Sequence, residues 1–181
     1  MKRLFLNLIL AAGLAGAAVT ASTPALAGAP QPVKAVAPTL FSGRWYEIAR
    51  TPNMMQKDCQ GSTSEFSGWS NGEFHVLQTC HSGAPLGPAK TVNAKARIIP
   101  ATGNAKMKMM FFGGMVSQEY WILDHADDNA WAIMGTPGGK YVWLMSRRPV
   151  LDAATRTAAL QRIHALGYDL SHLAFPQQLA R

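Results

Sequence analysis

Alternating apolar and polar side chains in two neighbouring segments restrict the fold of this chain more than any other feature. Residues 91–98 read TVNAKARI and residues 105–112 begin AKMKM, so that every second side chain is apolar. A period of two is typical of a β-strand with one buried and one solvated face. The intervening IPATGN, residues 99–104, has the composition of a turn. The two segments are therefore predicted to form an antiparallel hairpin.

Similar segments continue on both sides of this hairpin and are joined by turns, such as Asn71-Gly72. We expect eight strands, near residues 44–51, 62–69, 73–81, 91–99, 105–112, 118–124, 129–135 and 140–147. A meander of eight short strands can close on itself, which removes exposed sheet edges. The predicted fold class is thus all-β, an eight-stranded antiparallel up-and-down β-barrel.

One C-terminal α-helix is predicted over residues 152–167, packed on the outside of the barrel. Asp152 is suited to cap its N-terminus and Gly167 to end it. An apolar stripe at helical spacing would face the barrel, formed by Leu160, Ile163 and Leu166. The segment 168–175 that follows is expected to pair at the edge of the sheet.

The first 27 residues are typical of a secretory signal peptide, with a basic MKR start, an apolar core and the small residues Ala25–Ala27. Cleavage is expected near Ala27, which would make the mature protein periplasmic or secreted. The sequence has no cysteine near the cleavage point, so we do not expect a lipoprotein. Residues 28–39 are expected to form an extended leader, and residues 40–178 the barrel domain.

The chain carries 17 Lys and Arg against 10 Asp and Glu, a formal net charge of +7. The basic residues are scattered, and no basic stripe interleaves with aromatic side chains, which argues against a nucleic-acid partner. The positive charge does suit peripheral contact with an anionic membrane surface. The sequence does not indicate the oligomeric state.

Cys59 and Cys80 both lie in the part expected to be exported, where an oxidising compartment favours a disulfide. If Asn71-Gly72 is the turn of a regular hairpin, Cys80 faces Thr63. Cys59 then lies four residues further along the strand, about 13 Å away. A disulfide needs Cα atoms within about 7 Å. The bond is therefore expected only if residues 52–60 bend back over the sheet.

We find no motif that indicates catalysis or metal binding. The stretch GTPGGK, residues 135–140, is one residue short of a phosphate-binding loop, and Tyr141 follows it where Ser or Thr is needed. The histidines lack metal-ligand spacing: His75 and His81 would lie about 20 Å apart on one predicted strand. There is also no haem-attachment motif. We expect no enzyme activity, no cofactor and no metal.

Three motifs resemble one family. They are GRWYEIAR at residues 43–50, GTPGGKYVWLMSR at residues 135–147 and HALGYDLSHLAFPQQ at residues 164–178. Together they resemble the lipocalins, in the branch of bacterial outer-membrane lipocalins, plant temperature-induced lipocalins and apolipoprotein D. The resemblance covers roughly residues 40–178, and it implies that the barrel is a lipocalin calyx.

The resemblance also implies roles for individual residues. In lipocalins the tryptophan of the first motif closes the bottom of the barrel, and the arginine of the last strand packs across it. Gly43, Trp45 and Arg147 are therefore expected to be structural, with a cation–π contact between the last two. The loop at residues 52–60 would lie across the barrel mouth, where its methionines could form part of a lid.

The barrel interior is the expected ligand site, because eight strands enclose just enough space for one small ligand. Met107 and Met109 fall on the predicted inner face, and flexible methionine suits a pocket that adapts to varied apolar chains. Small alanines on the neighbouring strand would leave space open. The residues expected to bind the ligand are Phe74, Val76, Val92, Ala94, Ala96, Met107, Met109, Phe111, Tyr120, Ile122 and Tyr141.

These observations favour a protein that binds a small hydrophobic ligand. A fatty acid or lysophospholipid would be held in the barrel interior, for carriage or for maintenance of envelope lipids. Two alternatives remain open. One is an isomerase-type enzyme that uses Cys80 as a free thiol in the calyx, as a few lipocalins do. The other is a barrel filled by its own side chains that acts as an interaction module.

Overall fold

The computed structural model of the protein describes residues 28–179; the predicted signal peptide, residues 1–27, lies outside the described residues. The strands are β1 (Gly43–Arg50), β2 (Cys59–Ser70), β3 (Glu73–Ser82), β4 (Ala89–Ile98), β5 (Lys106–Phe111), β6 (Val116–His125), β7 (Trp131–Gly135) and β8 (Val142–Ser146). Helix α1 (Ala153–Ala165) follows them. Short 3-10 helices lie at Pro38–Phe41, Met54–Gln56, Phe112–Gly114 and Leu170–His172. Within the described range, no helix is long and apolar enough to cross a membrane.

Each strand pairs antiparallel with the next, and β8 pairs with β1, so the sheet is a closed barrel. This confirms the predicted eight-stranded fold. In such a meander, the loops that follow odd-numbered strands all lie at one end of the barrel. We call this the open end; its loops are residues 51–58, 83–88, 112–115 and 136–141. The other end, the closed end, carries the loops at residues 71–72, 99–105 and 126–130.

The closed end is filled by aromatic side chains and by the segment that precedes β1. Phe41 is fully buried, and its ring stacks on Trp69 and Phe74 with centroid distances of 5.3 and 5.0 Å. Val36 is also buried, and its backbone N–H donates to the carbonyl of Gly103 over 2.8 Å. The leader therefore lies against the barrel and adds side chains to the core.

Trp45 and Arg147 lie next to this aromatic cluster. The guanidinium of Arg147 lies 3.8 Å above the centre of the Trp45 ring. Gly43 has a φ of 68°, a conformation that favours glycine and brings the chain into β1 directly beneath Arg147. The guanidinium also donates to four backbone carbonyls, those of Thr39, Leu40, Ser42 and Arg44. One side chain thus joins the last strand to the turn that precedes the first.

Helix α1 packs on the outside of the barrel, as predicted. The carboxylate of Asp152 accepts a hydrogen bond from the backbone N–H of Thr155 over 2.9 Å and so caps the helix. Ile163 is fully buried against the barrel, with Leu160 and Leu166 partly buried beside it. Beyond the helix, Ala174 exchanges two backbone hydrogen bonds with Arg50, so the predicted pairing of this segment with the sheet is present.

Cys59 and Cys80 form the predicted disulfide, with Cα atoms 5.1 Å apart. The expectation that residues 52–60 must bend back over the sheet was wrong. Instead, β2 continues to Cys59, and a β-bulge at residues 61–62 shifts its register against β3. Gly61 adopts a φ of 54° there, as a bulge often requires. A second irregularity between Ser67 and Ser70 shifts the register by one more residue, and the two extra residues in β2 together bring Cys59 within reach of Cys80.

We predict that Arg147→Leu lowers the free energy of unfolding by about 2–3 kcal/mol. The substitution removes a cation–π contact and four hydrogen bonds from the guanidinium to backbone carbonyls. Urea denaturation followed by tryptophan fluorescence measures the change. Arg148→Leu is the matched control, because Arg148 is exposed and its side chain makes no hydrogen bond within residues 28–179. Equal stability of the two variants would show that the Arg147 contacts are dispensable.

Candidate functional site

A cavity of about 480 Å³ lies inside the barrel. It is reached from the open end, because its lining includes the exposed residues Met55, Lys90, Phe112 and Val116. The packed core at the closed end gives it a blind floor. Its size lies within the range of about 300–1,000 Å³ that is usual for small-molecule sites.

The wall formed by β2, β3 and β4 becomes more apolar with depth. Inward-facing residues that lie side by side on these three strands form rungs across the wall. From the open end downward, the rungs are Ser62–Cys80–Lys90, at the bulge of β2, then Ser64–Gln78–Val92 and Phe66–Val76. The first rung is polar and carries a positive charge, the second is mixed, and the third is apolar. A molecule that enters the cavity therefore meets polar groups near the mouth and hydrocarbon below.

The rest of the wall, from β5 to β8, is largely apolar. The rings of Tyr120 and Trp143 lie 5.7 Å apart between centroids. Burial raises the pKa of Tyr120, so its hydroxyl stays neutral across the physiological range. Besides Val116 at the mouth, the other lining residues of these strands are Met109, Phe111, Met134 and Met145. Three of these four side chains are methionines, which adapt easily to ligands of different shape.

Glu47 and Arg50 are buried polar residues of β1 that form an ion pair beside the cavity. Residues three apart on a regular strand point to opposite faces. Here Ile48 is an extra residue opposite β8, where Glu47 pairs with Met145 and Ala49 with Leu144. This bulge turns Arg50 to the same side as Glu47. The sequence YEIAR therefore places two charges inside the barrel.

The ion pair anchors the loop that borders the cavity mouth. The guanidinium of Arg50 donates to the carbonyls of Gln56, over 2.7 Å, and of Cys59, over 3.1 Å. The side-chain amide of Gln56 donates to Glu47 over 2.7 Å. Its oxygen accepts from Trp143 over 3.1 Å and from Asn53 over 2.8 Å. The 3-10 helix Met54–Gln56, which carries the exposed Met54 and Met55, is therefore held to the barrel wall.

The ionisation of Glu47 depends on two opposing effects. Complete burial raises the pKa of its carboxyl group, and the charge of Arg50 with its hydrogen bond opposes this. Burial is the larger effect, so the folded protein binds the Glu47 proton more tightly than the unfolded chain does. Two further polar atoms, Ser62 Oγ and Arg50 Nε, are buried and have no hydrogen-bond partner within residues 28–179. A bound polar group or water would satisfy them.

Five of the eleven predicted ligand-binding residues line the cavity. They are Val76, Val92, Met109, Phe111 and Tyr120. Five others lie in the buried core around Trp45 and do not border the cavity: Phe74, Ala94, Ala96, Met107 and Ile122. Tyr141 lies in the turn between β7 and β8, outside the lining. Alternation predicted which face these side chains occupy, but it carries no information about depth.

Sequence reasoning missed the polar part of the site. Ser62, Gln78 and Lys90 were overlooked, although Gln78 and Lys90 share the inward parity of Val76 and Val92. Extending the alternation by one or two positions would have found both. Glu47 and Gln56 carried no such signal, because the bulge at Ile48 and a loop hydrogen bond bring them to the cavity.

The disulfide forms part of the cavity wall, since Cys59 and Cys80 both line it. The described part of the chain contains no free cysteine. The alternative of a Cys80-dependent enzyme needs a free thiol, and the structure contradicts it on this point. No group of three or more His, Cys, Asp and Glu side chains within residues 28–179 is placed to hold a metal ion.

The chain is similar in sequence and in structure to known proteins. A family model described as a Lipocalin-like domain matches residues 39–178. Temperature-induced lipocalin-1 of Arabidopsis thaliana is 29% identical over 140 residues, which cover 74% of each chain. Outer membrane lipoprotein Blc of Vibrio cholerae is 26% identical over 155 residues, covering 83% of this chain and 90% of that protein. Insecticyanin of the tobacco hornworm Manduca sexta has the same fold, with a TM-score of 0.67 at 22% identity over 82% and 84% of the two chains.

We predict that stability depends on pH through Glu47. The unfolded chain releases this proton near pH 4.5, the ordinary value, whereas the folded protein holds it to higher pH. The stability that Glu47 contributes is therefore fully present below pH 4.5 and is lost as the pH rises through the higher folded-state pKa. Glu47→Gln lacks this effect. The difference in unfolding free energy, wild type minus variant, should thus fall as the pH rises above 4.5.

Urea denaturation at a series of pH values measures this difference. Glu65→Gln, at an exposed carboxylate on β2, is the control for removing a charge. A difference for Glu47→Gln that rises with pH would mean that the attraction of Arg50 outweighs burial.

Proposed function

Because this chain belongs to the lipocalin family, which binds small hydrophobic ligands, we propose that it binds a single-chain lipid with an anionic headgroup. A fatty acid or a lysophospholipid fits this description. The observation that carries the proposal is the gradient along the cavity wall, from Lys90 and Ser62 near the mouth to Phe66 and Val76 below. The alkyl chain would point toward the closed end and the headgroup toward the open end.

Burial of the alkyl chain would provide most of the affinity. Each buried CH₂ contributes about 0.8 kcal/mol, so ten methylenes contribute about 8 kcal/mol. Association and ordering costs offset part of this gain. Micromolar binding is then expected without any specific polar contact. The methionines among the lining residues would accommodate chains of different length and unsaturation.

The headgroup would lie at the first rung of the wall. Lys90 is the positively charged residue of this rung, and Ser62 Oγ is a buried hydroxyl without a partner in the described chain. Gln78 lies one rung deeper and offers a further amide donor. A carboxylate or phosphate at this level would accept from all three groups. An uncharged headgroup would leave Lys90 without a counter-charge.

The proposed role is lipid carriage or maintenance of envelope lipids, by a periplasmic or secreted protein that acts as a binder rather than an enzyme. The cavity supports a binder over a barrel filled by its own side chains. Lipid extraction after native mass spectrometry of the mature protein, purified from its own host, tests this proposal first. A bound species of a few hundred daltons is the expected result. An empty protein that also fails to take up added fatty acids and lysophospholipids would contradict it.

We predict that Gln78→Trp weakens fatty-acid binding at least about tenfold, because the larger side chain would occupy the middle of the cavity. Displacement of a fluorescent fatty acid measures the affinity, and circular dichroism verifies the fold. Leu77→Trp is the matched control, since Leu77 is the next residue and points out of the barrel. Equal effects of the two substitutions would place the ligand elsewhere.

We further predict that Lys90→Gln weakens binding of a long-chain fatty acid by about tenfold, the effect of losing one charge-assisted hydrogen bond. Binding of the alcohol with the same chain should change by less than about twofold, because it carries no charge. Lys108→Gln, at an exposed lysine on β5, is the control. If Lys90→Gln weakens acid and alcohol equally, the assignment of Lys90 to the headgroup is wrong.

A further inference from the structure

The exposed apolar side chains of this protein are concentrated around the cavity mouth. Eleven large hydrophobic residues are exposed in the described chain, and six of them lie in or next to the open-end loops. Met54 is 88% exposed, Leu86 79% and Met115 83%. We call the whole set the apolar rim: Met54, Met55, Leu86, Phe112, Met115 and Val116. Exposed apolar residues that cluster in this way mark interaction sites.

The rim lies at a single end of the barrel. Its residues come from three loops that the meander places at the same end of the barrel. The backbone N–H of Gly83 donates to the carbonyl of Asp58 over 2.8 Å, which joins the loop of Leu86 to the loop of Met54. Met55, Phe112 and Val116 also line the cavity. The cavity therefore opens within the rim.

The charge around the rim is positive. Lys57, Lys90 and Lys140 lie in or next to the open-end loops, and all three are exposed. Asp58 is the acidic residue of these segments. Positive charge is not confined to this end, since Arg147 and Arg148 follow β8 at the closed end and Lys34 pairs with Asp127 there; the open end differs in combining lysines with exposed apolar side chains. An apolar surface flanked by lysines matches the interface of an anionic bilayer, where apolar groups enter and cations lie among the headgroups.

We propose that the open end docks on the surface of an anionic lipid bilayer, with the apolar rim inserted and the three lysines among the headgroups. The inference deepens the proposed function and rests on it, because a cavity that opens into the bilayer interface lets a lipid pass between them without crossing water. A protein partner fits less well. Methionine and phenylalanine are common in protein–protein contact cores, but lysine is depleted there, whereas three exposed lysines lie beside this rim.

Flotation with phospholipid vesicles tests the docking surface. The mature protein should bind vesicles of phosphatidylcholine with about 30% phosphatidylglycerol, bind pure phosphatidylcholine more weakly, and release at high salt. The triple variant Met54→Ser, Leu86→Ser and Met115→Ser should bind at least about tenfold more weakly. None of these three residues lines the cavity. The control is Val33→Ser with Val150→Ser, which removes two exposed apolar side chains outside the open-end loops.

The lysines are tested separately. Lys57→Gln with Lys140→Gln should weaken binding to the anionic vesicles by about fivefold per lysine and reduce the salt dependence. Lys95→Gln with Lys108→Gln, at exposed lysines on the side of the barrel, should not change it. Equal losses in the rim and control variants would overturn the assignment of the surface. Failure of the wild type to bind either vesicle would overturn the docking itself.

Two measurements on the same samples keep the outcomes distinct. Displacement of a fluorescent fatty acid without vesicles reports the cavity alone, and the rim variants should retain it within about twofold. Fatty-acid binding without vesicle binding would contradict docking and leave the proposed function in place. Vesicle binding without fatty-acid binding would contradict the proposed function instead. Sedimentation that shows a dimer lost in the triple variant would assign the rim to a second copy of the chain and overturn the membrane proposal.

Discussion

The binding cavity depends on the contact between Arg147 and Trp45, which helps to block one end of the barrel. A closed sheet of eight strands has two ends, and a binding cavity needs one of them blocked. Arg147 belongs to the segment after β8, and Trp45 to β1, so the contact lies at the seam where the sheet closes. The same guanidinium holds the turn before β1 through four carbonyls. The same side chain therefore contributes both to the closure of the barrel and to its blind floor.

A second constraint comes from the irregularities of β1 and β2. A regular strand would place Glu47 and Arg50 on opposite faces, and it would leave Cys59 too far from Cys80 to bond. One extra residue in β1 and two in β2 change these outcomes. The bulge in β1 turns an ion pair inward, and the two register shifts in β2 allow the disulfide. The polar groups and the covalent link near the mouth thus depend on local departures from the barrel's regular pattern.

These irregularities also explain how much the sequence could predict. Alternation in residues 91–98 and 105–112 was enough for the strands, their facing and the closed meander, since parity persists as long as a strand is regular. Alternation could not predict how deep in the barrel a side chain lies: Phe74 and Val76 share a face, yet only Val76 borders the cavity. The predicted register between the strands of Cys59 and Cys80 was wrong for a different reason. A glycine in a strand is compatible with a bulge but does not require one.

The topology separates the requirements of the two ends. At the closed end, Ala105 and Val36 pack in the same core as Trp45 and Phe41, so side chains there contribute to folding. Open-end loops do not need to pack in the core, because the strands and the floor already close the barrel. Apolar residues such as Leu86 and Met115 can then remain exposed at that end without weakening the core. Exposed apolar residues elsewhere on the barrel would promote aggregation. At the open end they can contact lipid, beside the opening through which a lipid must pass.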